Sequence, residues 1–246
     1  MTMYIAHTPV VPVRSEASER SEMLTQLMFG ELVVSLDETD KWIRIRNMSD
    51  NYGGWVDRKM ILSLTPSEYK LFQSSEKTLL NNPITSIRPP HTSYSLQLPM
   101  GARLYKSSSG IENNTKLHSF FTSDKHLFHK SYQPTELAYS MLGAPYLWGG
   151  KSVMGIDCSG LIQLVHSVCG ISLPRDAWQQ ANVCTPIENE KDYEEGDLAF
   201  FKNQEDRITH VGLLLTRNKI IHASGCVRID PLTDCDHTLH SVRRIC

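Results

Sequence analysis

Between Asp157 and Cys169 the apolar residues fall at 161, 164, 165 and 168, the spacing of one helix face, and Gly170 supplies a stop. Runs that read as strands follow it: Glu195–Phe201, His210–Leu215 and Lys219–His222, the last two joined by a short Thr216-Arg217-Asn218 turn. A helix first and antiparallel strands after it describe an α+β domain, which takes in residues 131–246. Thr135–Leu142 is a second helix candidate, and Gly143–Gly150 reads as a loop.

The first 62 residues have a different texture, with short strands between turns. Thr8–Val13, Leu24–Leu27, Leu32–Leu36, Trp42–Arg46 and Gly53–Val56 are separated by polar stretches, and Trp42-Ile43-Arg44-Ile45-Arg46 alternates with period two. Short, evenly spaced strands with glycine punctuation suggest a small barrel, with Trp42 and Trp55 expected in its core. The order Val13-Arg14, a polar turn, Gly30-Glu31 before a strand, Trp42–Arg46 and a closing Gly54-Trp55-Val56 resembles a bacterial SH3-like module. Residues 63–130 read as a linker helix over 65–80, with Ser67–Lys70 as a capping start after Pro66, and then more strands. Gly101-Ala102-Arg103 echoes Gly30-Glu31-Leu32, so a second, degenerate SH3-like module is expected there, with Ser107–Asn114 as a loop.

With 40% hydrophobic and 21% charged residues, the chain belongs among ordinary globular proteins. A formal charge of -2 and the lack of any dense Lys/Arg run argue against a nucleic-acid partner. Apolar runs such as Val211–Leu215 are far shorter than a membrane span of about 20 residues. The residues after Met1 do not resemble an export signal, so a cytoplasmic location is expected, and the chain is expected to be a monomer. The six cysteines (158, 169, 184, 226, 235 and 246) allow three disulfides in 15 connectivities, but in a reducing compartment buried thiols are the plainer reading. With neither a C-x-x-C pair nor an H-E-x-x-H run, no metal and no cofactor is expected.

Cys158 stands apart from the other thiols because it opens the Asp157–Cys169 helix among Asp157, Ser159 and Gly160. The positive end of the helix dipole and unfilled backbone N–H groups there favour thiolate and can hold an oxyanion. His210 precedes one strand and His222 ends the next, twelve residues on around a turn. An antiparallel pair at that spacing puts both rings on one face, opposite or diagonal, as a base and its orienter require. His166 is expected to be packing or exposed, and Arg243-Arg244 a solvated tail.

Pro145–Gly150, Gly155-Ile-Asp-Cys-Ser-Gly-Leu161, Leu173-Pro-Arg-Asp176, Gly196–Phe201, His210-Val-Gly212 and Ile221-His-Ala-Ser224 together resemble the NlpC-type cell-wall cysteine peptidases, in motif order across 135–246. That resemblance implies a papain-like domain with Cys158 as nucleophile, His210 as base and His222 as third member. SH3-like modules ahead of such a domain resemble the γ-D-glutamyl-L-diamino acid endopeptidases, dipeptidyl-peptidase VI. The substrate implied is a free murein peptide, L-Ala-γ-D-Glu-diamino acid, with an unblocked amino terminus. Tyr146, Trp148, Asp157, Ser159, Arg175 and Asp176 are implied to line the cleft. Glu22 and Tyr52 are implied to receive the substrate ammonium, while Ala177 stands where the subgroup often has Ser. Rival readings are a secreted peptidoglycan lysin, a papain-like amidase or acyltransferase, and a catalytically dead wall-binding protein.

Overall fold

The computed structural model describes residues 1–89, 92–106, 116–124, 127, 131–233 and 237–245. The chain divides into two compact units, Met1–Ser131 and Tyr132–Cys246. The expected loop at 107–114 and the thiols Cys235 and Cys246 lie outside the described residues.

In the first unit β1 (Met3–Ala6), β2 (Val10–Arg14), β3 (Met23–Met28), β4 (Leu32–Glu38), β5 (Trp42–Asn47), β6 (Gly53–Asp57) and β7 (Ile61–Leu64) form one sheet, in the order β3-β2-β6-β5-β4-β1-β7. Its core gathers Val11, Val13, Leu27, Val33, Ile43, Ile45 and Val56. On β5 the inward residues are Ile43 and Ile45, with Arg44 and Arg46 exposed between them. Trp42 and Trp55 are therefore not core. Trp55 pairs across the ladder with the exposed Arg44, so the pleat turns it to the outer face, where both indoles are half-buried.

Thr65 caps α1 (Pro66–Ser74) with a reciprocal capping box: its side chain accepts from the Glu68 N–H, and the Glu68 carboxylate accepts from the Thr65 N–H at 2.7 Å. The cap is thus Thr65 rather than the expected Ser67, and the helix ends at Ser74, short of residue 80, with Pro66 at the first helical position, where its missing N–H costs nothing. Beyond it, β8 (Lys77–Leu79), β9 (Ile84–Ile87), β10 (Leu96–Pro99), β11 (Arg103–Lys106) and β12 (Phe121–Thr122) fall into two small sheets. The segments that follow the echoing glycines touch: the Arg103 N–H donates to Phe29 O at 2.7 Å and Tyr105 Oη to Gly30 O at 2.9 Å. Arg103 also pairs with the buried Glu31 at 2.8 Å. One aromatic core of Phe29, Phe72, Tyr105, Phe120 and Phe121 serves both halves of the unit.

The second unit holds α2 (Pro134–Tyr139), the hairpin β13 (Lys151–Ser152) and β14 (Gly155–Ile156), α3 (Cys158–Val168), α4 (Ala177–Asn182) and β15 (Thr185–Pro186). Then come β16 (Leu198–Lys202), β17 (Ile208–Thr216), β18 (Lys219–Ser224), β19 (Cys226–Pro231) and β20 (Thr238–Arg244), in a six-stranded sheet ordered β15-β20-β16-β17-β18-β19. The helix α3 packs on β17 and β18. Arg243 and Arg244 are not a solvated tail, because they belong to β20. Arg244 clamps the buried Asp197 carboxylate through Nε at 2.7 Å, and Arg243 donates to Ala181 O at 2.8 Å. Among the described residues, no helix is long and apolar enough to cross a membrane.

Candidate active site

Asp157 accounts for where α3 begins. Its Oδ1 accepts the Gly160 N–H at 2.6 Å, a helix N-cap, and its Oδ2 accepts the Gly149 N–H at 2.8 Å. Arg175 grips the same carboxylate with both arms, at 3.0 and 2.6 Å, and donates to Ser159 Oγ at 2.9 Å. Gly160 allows the approach of the preceding loop: a Cβ there would lie 2.4 Å from Gly150 O. Asp157, Ser159 and Arg175 are thus buried framework rather than open cleft surface, and they fix the helix turn that carries Cys158.

The Cys158 thiol is buried and within hydrogen-bonding reach of the backbone N–H groups of Val211 and Ser159. Burial pushes it up to about 12 and the Asp157 charge adds to this, against the two N–H groups and Arg175, which pull it back. The helix-start expectation of a lowered thiol is reversed, because desolvation outweighs the partial charges of the first turn. The Tyr146 phenol is likewise raised to about 12, first by burial and then by its nearness to Cys158 and Asp157. Trp148 is 60% exposed at the surface of that loop.

Across from α3, Val211 follows His210 on β17. His210 Nε2 meets His222 Nδ1 at 2.7 Å, and His222 Nε2 meets Asp230 Oδ2 at 3.0 Å. The rings are diagonal partners rather than directly opposed. The β17–β18 register sets Leu213 against Ile221, which brings Gly212 opposite His222. A Cβ on Gly212 would sit 3.2 Å from His222 Cβ, so the missing side chain there leaves room for the diagonal contact. His237 stacks on His210 at 4.1 Å between centroids and 20° between planes. Burial first, then the neighbouring His237, His222 and Arg228, holds His210 down to about 2, so the ring rests neutral. Burial also keeps His222 below its ordinary value, against the pull of Asp230. A neutral thiol held by the N–H of Val211, the residue after a neutral imidazole on a hydrogen-bonded relay, suits nucleophilic attack with proton transfer.

Residues 143–243 match the model of the NlpC/P60 family, and residues 13–61 match that of the bacterial dipeptidyl-peptidase Sh3 domain. This chain carries an NlpC/P60 domain behind a bacterial Sh3 domain. The γ-D-glutamyl-L-lysine dipeptidyl-peptidase of Bacillus cereus is 25% identical over 240 residues, covering 86% of this chain and 71% of that protein. Its namesake from Bacillus subtilis is 27% identical over 220 residues, 81% of this chain and 71% of that one. The crystal structure of an NlpC/P60 family protein from Bacillus cereus shares the fold, with a TM-score of 0.83 over 98% of this chain and 99% of that one at 16% identity. The fold is thus a papain-like NlpC/P60 domain preceded by an SH3-like domain.

Asp176 begins α4 through a capping box with Gln179. Glu22 and Tyr52 belong to the first unit. Glu22 is exposed just before β3, and half-buried Tyr52 sits between β5 and β6, where its N–H donates to Asp50 Oδ1 at 2.9 Å. His166 is buried, its Nδ1 2.8 Å from Ile162 O one turn back on α3. Sequence reasoning missed Asp230 and His237. Asp230 had a signal, since it lies eight residues past His222 in an alternating run. His237 had none, because only the fold of the sheet brings it onto His210.

Proposed function

We propose that this NlpC/P60 enzyme hydrolyses the γ-D-glutamyl–diamino acid bond of free murein peptides that carry an unblocked N-terminal L-Ala, with Cys158 as nucleophile, His210 as base and His222 as orienter. The observation that carries the reading is the Cys158 thiol at the N-terminus of α3 beside Val211, the residue after His210, whose ring is hydrogen-bonded to His222, in a chain alignable with a γ-D-glutamyl-L-lysine dipeptidyl-peptidase over 86% of its length.

Thiol and imidazole both rest uncharged, so the proton leaves Cys158 for His210 as sulfur attacks the γ-carbonyl carbon. Negative charge then passes to the carbonyl oxygen, where backbone N–H groups at the start of α3 can receive it. His210 returns the proton to the leaving α-amine of the diamino acid. Water, deprotonated by the same ring, then opens the thioester and releases L-Ala-D-Glu. Tyr146 and Trp148 offer aromatic surface to the substrate backbone. A cytoplasmic recycling role accords with a preference for free peptide over intact wall.

The test compares L-Ala-γ-D-Glu-diaminopimelate, its L-Lys counterpart, and both N-acetylated. If the site reads a free ammonium, removing that charge strands its desolvated partner at a cost of several kcal/mol, so kcat/KM should fall by two orders of magnitude or more at about 1.4 kcal/mol per tenfold. Equal cleavage of free and blocked peptides would point to a lysin acting on polymeric wall. The Cys158→Ala variant should cleave none of them.

A further inference from the structure

The hydrogen-bond chain from His210 does not end at His222. Three consecutive strands put His210, His222 and Asp230 on one sheet face, each diagonal to the last. The β18–β19 register sets His222 against Arg228 and Ile220 against Asp230, so Asp230 reaches back across the pleat as His210 reaches forward. Arg228 Nε holds the same Asp230 Oδ2 at 2.8 Å.

We propose that Asp230 is a positioning residue that, acting through His222, fixes His210 in the tautomer whose Nδ1 carries the lone pair offered to the Cys158 thiol. The inference rests on Cys158 and His210 being nucleophile and base. An ionised carboxylate only accepts hydrogen bonds, so the proton of His222 must sit on Nε2, the atom 3.0 Å from Asp230. A neutral His222 then presents a bare Nδ1, which accepts a hydrogen bond from the His210 Nε2–H at 2.7 Å. That leaves His210 with a bare Nδ1, the form able to take the thiol proton. Running the chain the other way is equally good between two imidazoles. It would place a hydrogen on His210 Nδ1 and leave no base. The carboxylate at the end of the chain breaks the tie. Burial opposes its ionisation, but the hydrogen bonds from His222 and Arg228 outweigh this and hold it below the usual carboxylate range. No proton reaches Asp230 in the reaction. When His210 becomes imidazolium, the relay stabilises the charge where it forms. The groups facing the relay are Arg228 beside the carboxylate and His237 stacked on the His210 ring.

The experiment uses the full chain labelled with 15N-histidine, with long-range 1H–15N spectra reporting which ring nitrogen bears hydrogen. The wild type should show His210 and His222 both protonated at Nε2. Asp230→Asn keeps the shape but can donate as well as accept, so it should move His210 toward the Nδ1–H form. Its kcat should fall by about 100-fold or more, as loss of an orienting carboxylate does elsewhere, with KM changed less than about threefold. Asp230→Glu should recover most of the kcat. A wild-type spectrum with His210 protonated at Nδ1, or an Asp230→Asn enzyme with unchanged kcat, overturns the proposal. Should the Asn variant fail to fold, the wild-type spectrum decides. Should no peptide be cleaved, the tautomer result still stands and only the proposed function falls.

Discussion

Arg175 shows how one residue can carry two readings. Its place in Leu173-Pro-Arg-Asp176 suggests a cleft residue, yet its guanidinium is buried and spans Asp157 and Ser159 beneath α3. Removing one partner of a buried ion pair strands the other, so Arg175→Ala should cost about 3–5 kcal/mol, read as a lower urea midpoint. Arg175→Lys should recover only part of that, because a single ammonium cannot match two carboxylate oxygens and a hydroxyl at once. An unchanged midpoint in the Ala variant would mean that the pair does not hold α3. Cys158 supplies a second test at this scale. With the thiol pushed up by burial, iodoacetamide alkylation of Cys158 should climb steadily with pH from 6 to 9, followed by mass spectrometry. A plateau already reached near pH 6 would show a thiolate–imidazolium pair in the resting enzyme instead.

At the scale of elements, α3 and the β17–β18 hairpin carry three buried histidines, and each is held below its ordinary value of 6.5, chiefly by burial. The unfolded chain therefore binds more protons than the folded one once the pH drops below about 6.5. The stabilisation is complete above that pH and is lost as the pH falls toward the folded values, by up to about 1.4 kcal/mol per pH unit for each histidine. Urea midpoints should drop clearly between pH 7.5 and pH 5, and less so in a His166→Phe variant. Identical midpoints at the two pH values would contradict neutral, buried rings. The elements best read from sequence, α3 and β5, have a strong period and clear ends: Asp157 and Gly170 bound the first, and Ile43 and Ile45 alternate with Arg44 and Arg46 in the second. By contrast β19 and β20 escaped, because β19 alternates over only Val227–Asp230 and β20 breaks its alternation at Arg243 and Arg244. The six-residue α4 was also missed, because its inward residues Ala177, Gln180 and Ala181 are too small or polar to mark an apolar face.

For the whole molecule, two apolar clusters fall within the first unit and one within the second. Phe72 and Phe120 sit in the first unit, while Phe201, Leu214 and Val242 sit in the second. A chain of residues 132–246 alone should accordingly melt cooperatively by circular dichroism. It should also show the same pH course of Cys158 alkylation as the full protein, since Asp157, Arg175, Val211 and the histidine relay all fall inside it. A non-cooperative melt would show that its core is not sufficient by itself.

The sequence by itself determined the change of texture near residue 131, the helix that starts at Cys158, and the pair His210 and His222 on one hairpin. Each of these rests on local spacing, which short-range sterics translate directly into structure. Only the tertiary structure decided that Trp42 and Trp55 face outward, that Arg175 supports rather than lines the site, and that the thiol is raised rather than lowered. It also joined Asp230 to the His222 ring and stacked His237 on that of His210. Those outcomes depend on burial and on contacts between strands and loops distant in sequence, which no local pattern records.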